Sequence, residues 1–506
     1  MSNIAADTSA YGALCERFRR IGLLADTLGI LNWDQATVMP EGSAEGRGEQ
    51  IAALSLMRHE LLVDPAVADR LAAARDEVGD FADPWHDANL REMERAYRDA
   101  AAVPGELVEA AARAEAACEM AWRGARADND FAALLPSLQT VLDLTREIAA
   151  ARADALGLTP YDALLEEYEA GTRTADLDPL FETLARDLPG MVDAALERQA
   201  RAQDAVLPDG PFPIPAQRAL AQELMHALGF DFERGRLDIS HHPFCGGASG
   251  DVRITTRYSE ENFTESLMGV LHETGHALYE AGLPENWRYQ PVGNALGMAI
   301  HESQSLLVEM QVSRSRAFLA FALPRMKAAF GGDGPAWDVE NLYRLYTRVE
   351  RGFIRVDADE LTYPLHIVLR YRLEQAMLSG DLALADLPGA WNEGMRELLA
   401  IVPPDDRLGC LQDVHWPSGA FGYFPTYTLG AMAAAQIFAA MRAALPDLEA
   451  DIAAGRLAPM VAWLRAHVHG QGARLSAPDL LAEITGEPLN PRIFLDHLKS
   501  RYLGEG

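Results

Sequence analysis

The stretch NFTESLMGVLHETGHALYEAG, residues 262–282, lies at the centre of the chain and indicates its fold class. Asn262 followed by Glu265 resembles a capping box, in which a polar residue satisfies the free amides at a helix start. Gly282 suits the position just after a helix end. These signals predict one helix from about 263 to 281.

The segments on either side of this helix differ from each other. Upstream, LDISHHPF and DVRITTRYS alternate and contain β-branched residues, with the turn-forming CGGASG between them. They predict a β-hairpin over roughly 237–257. Downstream, we expect a second helix from about 294 to 318 and further helices to the C-terminus. Residues 1 to about 230 show the helical apolar period. The predicted fold class is mainly α, a large helical body with a small β-hairpin or sheet.

Composition and charge exclude several classes of function. The 506 residues are 49% hydrophobic and 24% charged, with a net charge of −31, which is typical of a globular protein. Nucleic acid and anionic membranes are unfavourable partners because both attract basic proteins. Four dispersed cysteines, the absence of an apparent signal peptide and the lack of a long apolar run predict a soluble cytoplasmic protein.

The central helix contains His272-Glu273-Thr274-Gly275-His276, an HExxH arrangement. Residues four apart lie on one helix face, so both imidazoles can bind one cation. Glu273 lies beside that face, where a carboxylate can deprotonate the attacking water. The pattern is typical of zinc hydrolases. The alternative is a helix with two incidental histidines, one of them satisfying a buried polar group.

A catalytic zinc site usually takes three protein ligands. Glu302, within HESQ on the predicted second helix, lies 26 residues after His276. An antiparallel helix pair joined by a loop over 282–293 would bring this carboxylate against the first helix. The ligand set would then be that of gluzincin-type peptidases, with the hairpin edge available to an extended peptide. The alternative for Glu302 is a solvated helix charge.

Six ordered motifs carry a resemblance to the carboxypeptidase Taq (M32) family of metallocarboxypeptidases along most of the chain. They are HPF at 242–244, DxRxT at 251–255, HExxH at 272–276, HESQ at 301–304, IRxxAD at 354–359 and GxxQDxHW at 409–416. The resemblance implies a mostly helical body with a deep groove, a metal at its floor and commonly a homodimer. It also implies removal of single C-terminal residues from peptides with broad specificity, using Zn²⁺ or sometimes Co²⁺ or another divalent metal.

Length alone suggests about three domains. However, the motifs between residues 242 and 423 must converge on one site. We therefore expect a single peptidase domain over residues 1–506, with a helical portion at about 1–230 and a metal-site and groove portion at about 231–506.

Residues outside the metal triad are assigned by the chemistry that a carboxypeptidase needs. Glu273 is the expected general base. His415 and Tyr423 are the expected donors to the oxyanion, with Tyr427 behind them. The alternative for each tyrosine is core packing with a satisfied hydroxyl.

A substrate α-carboxylate calls for an arginine, whose planar fork can bind it in two places. Arg253 and Arg355 are the candidates, and either can instead pair with a structural aspartate such as Asp251 or Asp359. His242 is a candidate for the closed end of the groove, although a histidine before proline can equally be structural.

Two other functions remain open at this point. One is an endopeptidase or dipeptidyl-type oligopeptidase on the same helical gluzincin fold. The other is a non-catalytic helical scaffold, which the intact set of His272, Glu273, His276 and Glu302 disfavours because a scaffold has no need of a general base.

Overall fold

The computed structural model describes residues 9–79 and 83–504, which are mainly helical. The helices are α1 Ala10–Thr37, α2 Ala44–Val63, α3 Pro65–Val78, α4 Pro84–Ala102, α5 Gly105–Asp128, α6 Phe131–Leu156, α7 Pro160–Tyr168, α8 Thr174–Arg201, α9 Ile214–Ala227, α10 Phe263–Gly282, α11 Met298–Leu306, α12 Arg316–Phe330, α13 Val339–Tyr346, α14 Tyr363–Ser379, α15 Leu387–Leu399, α16 Pro425–Ala444, α17 Leu448–Ala453, α18 Ala458–His467, α19 Ala477–Thr485 and α20 Pro491–Leu498. The mainly α fold class is confirmed, and α1–α9 form the helical portion expected before about residue 230.

A three-stranded sheet lies between α9 and α10. Its strands are β1 Gly235–Ile239, β2 Cys245–Ala248 and β3 Asp251–Thr256, in the order β1-β3-β2. β2 and β3 form an antiparallel hairpin, but β1 runs parallel to β3. The predicted hairpin over 237–257 is therefore wrong in its pairing: most of the CGGASG stretch forms β2. The chain leaves β1 beside Thr256 and re-enters the sheet on the other side of β3.

The predicted central helix is confirmed as α10. The side chain of Asn262 accepts a hydrogen bond from the amide of Thr264 at 2.9 Å and caps the helix. Gly282 lies inside the helix, and Leu283 is the C-cap in an extended conformation. The sequence predicted Gly282 just after the helix end, whereas in the structure it is the last residue of the helix.

The predicted second helix from 294 to 318 is interrupted. α11 begins at Met298 and gives way to a π-helical turn, Leu307–Ser313. α12 then begins with its own cap, because the side chain of Ser315 accepts from the amide of Phe318 at 3.1 Å. The sequence predicted one continuous helix here, so the break at the π-helical turn corrects that prediction.

The hydrophobic core runs through most of the chain. Its main cluster extends from Cys118 to Tyr502 and includes the inner faces of α10, α11 and α16. A smaller cluster joins α1, α3 and α4 around Leu14 and Leu90. α11 is packed between α10 and α16, so this helix is held in the middle of the molecule.

The helices within residues 9–79 and 83–504 are too short or too polar to cross a membrane. The four cysteines lie within the described residues and are free. The expectation about a signal peptide concerns the first residues of the chain, of which 1–8 lie outside the described residues.

Candidate metal centre and substrate groove

Two close helix contacts bring the metal-ligand candidates together. A Cβ on Gly275 of α10 would lie 2.4 Å from the carbonyl oxygen of Gln304 and 2.6 Å from Cα of Ser305. On the opposite side of α11, a Cβ on Gly430 of α16 would lie 2.8 Å from Cβ of Glu302. α11 can therefore approach both neighbours only because these positions lack a side chain. The approach places Glu302 against the face of α10 that carries both histidines.

The three predicted ligands form one cluster. The ligand atoms of His272, His276 and Glu302 all lie within 4.8 Å of one another. Nε2 of His276 is 3.5 Å from Oε2 of Glu302. Nδ1 of His276 is buried and has no hydrogen-bond partner within the described residues. Two imidazoles and one carboxylate at this separation match the donor set of a zinc site.

The charge of the cluster also fits a cation. Three carboxylates in a buried region interact electrostatically with His272: those of Glu273, Glu302 and Glu309. Burial opposes ionisation of Glu302, yet the hydrogen bond to His276 and the charge of His272 lower its pKa to about 2. An ionised buried carboxylate needs positive charge nearby. The charge of His272 supplies it here, and a divalent cation held by the triad would supply it where His272 is a neutral ligand.

Glu273 has the properties expected of a general base. Its side chain is buried, and burial is the main cause that raises its pKa to about 7. Glu302 raises this pKa further, whereas His272 lowers it. A carboxyl group with a pKa near the working pH can both take and return a proton. Its position beside the triad agrees with the sequence-based interpretation.

His415, Tyr423 and Tyr427 form an aromatic group near Glu302. Nε2 of His415 is 3.2 Å from the hydroxyl of Tyr427, and the rings of Tyr423 and Tyr427 lie 5.2 Å apart. Burial raises the pKa of both tyrosines, and the charge of Glu302 adds to this effect. Both phenols are therefore protonated and able to donate at neutral pH.

His415 is neutral in this environment. Burial lowers its pKa to about 4; Asp413 opposes the shift and Arg355 adds to it. Nδ1 of His415 lies 3.9 Å from Oδ1 of Asp413, beyond hydrogen-bond distance. The neutral ring carries one N–H donor and one acceptor nitrogen, so it can still donate a hydrogen bond to a substrate.

Arg355 is part of a buried cluster with an excess of positive charge. It donates from Nε at 3.0 Å and from Nη2 at 2.9 Å to Oδ1 of Asp413. Arg370 donates from Nε at 2.8 Å and from Nη2 at 2.5 Å to Oδ2 of the same residue. One carboxylate thus serves two guanidinium groups. Burial alone would raise the pKa of Asp413, but these two arginines lower it well below its usual range.

Asp359, which the sequence suggested as a structural partner of Arg355, has another role. Its side chain accepts from the amides of Glu350, Leu361 and Thr362 at 2.9–3.1 Å. That alternative is therefore wrong: Asp359 organises the loop before α14, and Asp413 pairs with Arg355.

The positive charge of Arg253 is balanced by a neighbouring carboxylate. It donates from Nε at 3.0 Å and from Nη2 at 2.5 Å to the two carboxylate oxygens of Asp251, two residues away on β3. Its guanidinium lies over the ring of Trp33 at 4.3 Å. The predicted alternative of a structural pair with Asp251 is the arrangement observed.

His242 lies in the loop between β1 and β2 and is exposed. Its ring contacts His241 at 4.7 Å, and its carbonyl oxygen accepts from the hydroxyl of Ser240. Within the described part of the chain, no hydrogen bond or ring contact joins His242 to the metal triad.

A cavity of about 1400 Å³ lies on the other side of His301 from the triad, and the triad residues are not part of its lining. α1 contributes Asp26 and Trp33, β2 contributes its backbone, and His301 lies at the wall. His301 stacks on His276 with ring centroids 4.5 Å apart, which connects the cavity to the metal site. The cavity is large enough for several residues of a peptide.

The N-terminal helices reach the site through Tyr168 and Glu169. The ring of Tyr168 meets that of Tyr423 edge-on at 5.0 Å. The carboxylate of Glu169 accepts from the amide of Ala299 at 2.7 Å, at the start of α11. An acceptor at this position satisfies a free amide of the helix that carries Glu302. The two halves of the chain therefore meet at the site.

Glu374 anchors the loop that carries the aromatic group. It accepts from the indole of Trp416 at 2.9 Å, the hydroxyl of Tyr161 at 2.8 Å and the amide of Gly422 at 3.2 Å. Four residues of the site were not predicted from the sequence: Glu374, Arg370, Glu169 and Glu309. Asp413 is the aspartate of the GxxQDxHW motif at 409–416, and this motif was the signal that could have identified it.

Replacing Gly275 by alanine should damage the site through packing. A methyl group would collide with the backbone of α11, and overpacking of this kind costs about 1–3 kcal/mol of unfolding free energy. We expect Glu302 to move away from the histidines and metal affinity to fall. Chemical denaturation and metal titration measure both effects.

Gly269→Ala on the same helix is the matched control, since nothing lies within 4 Å of a Cβ there. It should stabilise the helix slightly. Equal behaviour of the two variants would contradict the close-contact explanation.

The chain is similar to known proteins along almost its whole length. Residues 13–502 match the family model described as carboxypeptidase Taq (M32) metallopeptidase. The chain is 41% identical over 504 residues to thermostable carboxypeptidase 1 of Thermus thermophilus, covering 98% of both chains. It is 33% identical to thermostable carboxypeptidase 1 of Pyrococcus furiosus, covering 96% of this chain and 97% of that one.

A solved structure titled Trypanosoma cruzi metallocarboxypeptidase 1 superimposes with a TM-score of 0.95 at 40% identity, covering 97% of this chain and 99% of that one. Similarity in sequence and structure thus extends over almost the whole chain. The chain belongs to the carboxypeptidase Taq (M32) family of metallopeptidases.

Proposed function

We propose that this protein is a metal-dependent carboxypeptidase that removes single C-terminal residues from peptides with broad specificity. The observation that carries the proposal is the buried pair Arg355 and Arg370, which shares the single carboxylate of Asp413. The guanidinium of Arg355 lies 4.9 Å from the ring of Tyr427, whose hydroxyl interacts electrostatically with Glu302. An excess positive charge beside a hydrolytic site suits a substrate that ends in a free carboxylate.

His272, His276 and Glu302 are the proposed ligands of one Zn²⁺ ion per chain, with Co²⁺ or another divalent metal as an alternative. Their nitrogen and oxygen donors and the buried negative charge support this choice. Held by these three residues, a divalent cation would supply Lewis acidity at the scissile carbonyl and would lower the pKa of a water to about 7.

Glu273 is the proposed general base. It takes a proton from the attacking water and delivers it to the leaving amine. Its raised pKa supports both steps, because the carboxyl group can exist in either protonation state near neutral pH.

His415, Tyr423 and Tyr427 are the proposed group that stabilises the oxyanion and positions the substrate. The neutral imidazole and the protonated phenols can donate hydrogen bonds to the negative charge that develops on the carbonyl oxygen. Their mutual contacts, and the loop anchored by Glu374, hold these donors in place before the substrate arrives.

Arg355 is the proposed partner of the substrate carboxylate. Arg355 donates to one carboxylate oxygen of Asp413, and Arg370 donates to the other. One negative charge is therefore shared by two positive charges, which leaves an excess positive charge for the substrate carboxylate. Arg253 is neutralised by Asp251 and lies over Trp33, so it is better suited to shaping the groove wall. His242 is proposed as a residue of the groove wall. It lies in the exposed loop that follows β1.

The test of the proposed function compares one peptide with a free C-terminus and the same peptide amidated. We expect sequential release of single C-terminal residues from the free form and no release from the amidated form. Cleavage of the amidated peptide, or release of internal fragments, would instead identify an oligopeptidase on the same fold. Absence of cleavage with metal bound would favour a non-catalytic scaffold.

Arg355→Lys should raise the KM for peptides with a free C-terminus by roughly ten- to a hundredfold, since lysine keeps the charge but loses the two-point geometry. Arg253→Lys is the matched control and should change KM little. Steady-state kinetics on both variants decides the assignment. A larger effect at Arg253 would reverse it.

The remaining proposals concern organisation and location. The free cysteines support the cytoplasm, and fractionation of cells would test this. A homodimer is proposed from the family resemblance, with light scattering after gel filtration as its test. The single peptidase domain over residues 1–506 is supported by a main core that extends from Cys118 to Tyr502, and one cooperative unfolding transition is expected.

A further inference from the structure

A buried carboxylate lies behind one of the proposed metal ligands. Oε2 of Glu309 is 2.8 Å from Nδ1 of His272. Glu309 is buried and belongs to the π-helical turn Leu307–Ser313 that follows α11. The carboxylate therefore contacts the ring nitrogen of His272 that is remote from the position where the cation would lie.

Arg314 fixes this carboxylate from its other side. Its Nη2 donates to Oε1 of Glu309 at 2.5 Å. The amide of the same residue donates to the carbonyl oxygen of Glu309 at 3.1 Å, an interval of five residues that is characteristic of a π-helix. Glu309 is thus held through both its backbone and its side chain.

The π-helical turn is itself held by the C-terminal segment. Nη1 of Arg501 donates to the carbonyl oxygen of Met310 at 2.6 Å and to Oε2 of Glu360 at 2.8 Å. The hydroxyl of Tyr502 also donates to Oε2 of Glu360, at 3.1 Å. Glu360 in turn accepts from the side chain of Gln311 in the turn at 3.2 Å, so these contacts tie the turn to the C-terminal segment. π-helical turns occur frequently at functional sites.

The two histidine ligands differ in their surroundings. His272 has a carboxylate on Nδ1, whereas Nδ1 of His276 has no hydrogen-bond partner within residues 9–79 and 83–504. His276 is held by Glu302 and by stacking on His301 instead. Glu309 therefore holds the ring of His272 through Nδ1, and the described residues provide no such contact on Nδ1 of His276.

We propose that Glu309, presented by the π-helical turn and held by Arg314, is the positioning residue of His272, and that it keeps the proton on Nδ1 so that Nε2 is free for the cation. The inference rests on the proposed metal-dependent function. A carboxylate behind a histidine ligand fixes the tautomer and the ring orientation and makes the imidazole a stronger donor. Glu309 does not touch the substrate, so its effect reaches the reaction only through the metal.

The test measures Zn²⁺ affinity by competition with a chelator, using metal-free protein reloaded with zinc. Glu309→Gln should weaken Zn²⁺ binding by roughly ten- to a hundredfold. The double variant Glu309→Ala with Arg314→Ala removes both charges together and should show a similar or larger loss. This second variant keeps the test valid if the single substitution leaves Arg314 unpaired and unfolds the protein.

The chain provides a matched control in Glu280, also on α10. Its carboxylate is 2.8 Å from Nε2 of His301, the same kind of contact on a histidine outside the triad. Glu280→Gln should change Zn²⁺ affinity by less than about threefold. The visible spectrum of the Co²⁺-loaded protein should shift for Glu309→Gln and stay as in the wild type for Glu280→Gln.

The outcomes separate this inference from the function on which it rests. If the wild-type protein binds no metal, the proposed function fails. If it binds metal and Glu309→Gln binds with unchanged affinity and an unchanged cobalt spectrum, only the role of Glu309 is overturned. A loss equal to that of Glu280→Gln would likewise overturn it, because a general packing defect would then explain both.

Discussion

Replacing Glu273 by glutamine should lower turnover by about 10³-fold or more while the protein keeps about one bound metal per chain. Glutamine has nearly the same shape as glutamate and remains neutral, so it can neither take a proton from water nor return it to the leaving amine. The histidines and Glu302 are unchanged, and metal binding is therefore expected to persist. Steady-state kinetics together with metal analysis of the purified variant measures both quantities.

The control for this prediction is Glu265→Gln, at an exposed position in the first turn of the same helix. It should retain full activity. Unchanged turnover in Glu273→Gln would remove Glu273 from the mechanism. Loss of the metal together with the activity would instead assign Glu273 to the structure of the site.

Replacing Asp413 by asparagine should reduce the free energy of unfolding by about 3–5 kcal/mol at pH 7. The substitution leaves Arg355 and Arg370 buried without their shared carboxylate. Two guanidinium groups would then repel each other in a region of low polarity. Denaturant titration of wild type and variant measures the difference.

The pH dependence of this effect follows from the lowered pKa of Asp413. A carboxyl group whose pKa is lower in the folded state stabilises the protein above its unfolded pKa, and loses this effect as the pH falls through the folded value. The difference between wild type and Asp413→Asn should therefore stay constant between about pH 5 and 8 and shrink below about pH 4.

Asp251→Asn is the matched control, because Asp251 forms the corresponding pair with Arg253 but is 44% exposed. Its effect should be no more than about 1 kcal/mol. If Asp413→Asn costs as little as this control, the buried cluster does not carry the stability assigned to it.

Local patterns in the sequence predicted the centre of the site well. The cap at Asn262 and the spacing of His272 and His276 are properties of one helix, and the structure reproduces both. Glu302 was also predicted, because an antiparallel pairing of the two helices across their connecting loop brings its carboxylate against the first helix. The family resemblance rested on the same local motifs, and the comparisons confirmed it.

Properties that depend on long-range contacts could not be predicted in the same way. The parallel pairing of β1 with β3 depends on how the intervening loop crosses the sheet, and alternation alone does not reveal it. Asp413 lies 58 residues from Arg355, farther along the chain than Asp359, and only the fold brings the two together. The π-helical turn after α11 has no signal in apolar spacing, because contacts with Arg501 hold it.

The contact between Tyr161 and Glu374, separated by 213 residues, has a consequence for the order in which the enzyme becomes competent during synthesis. The ribosome delivers His272, His276 and Glu302 long before Asp413 and the aromatic loop that Glu374 holds. Contacts between distant residues also form late, since closing a long loop costs more entropy. The residues proposed to hold the peptide end are therefore synthesised after the proposed cation ligands, and the helix that carries Glu302 gains its contact with Gly430 later still. The site is complete only once the C-terminal part of the chain has folded.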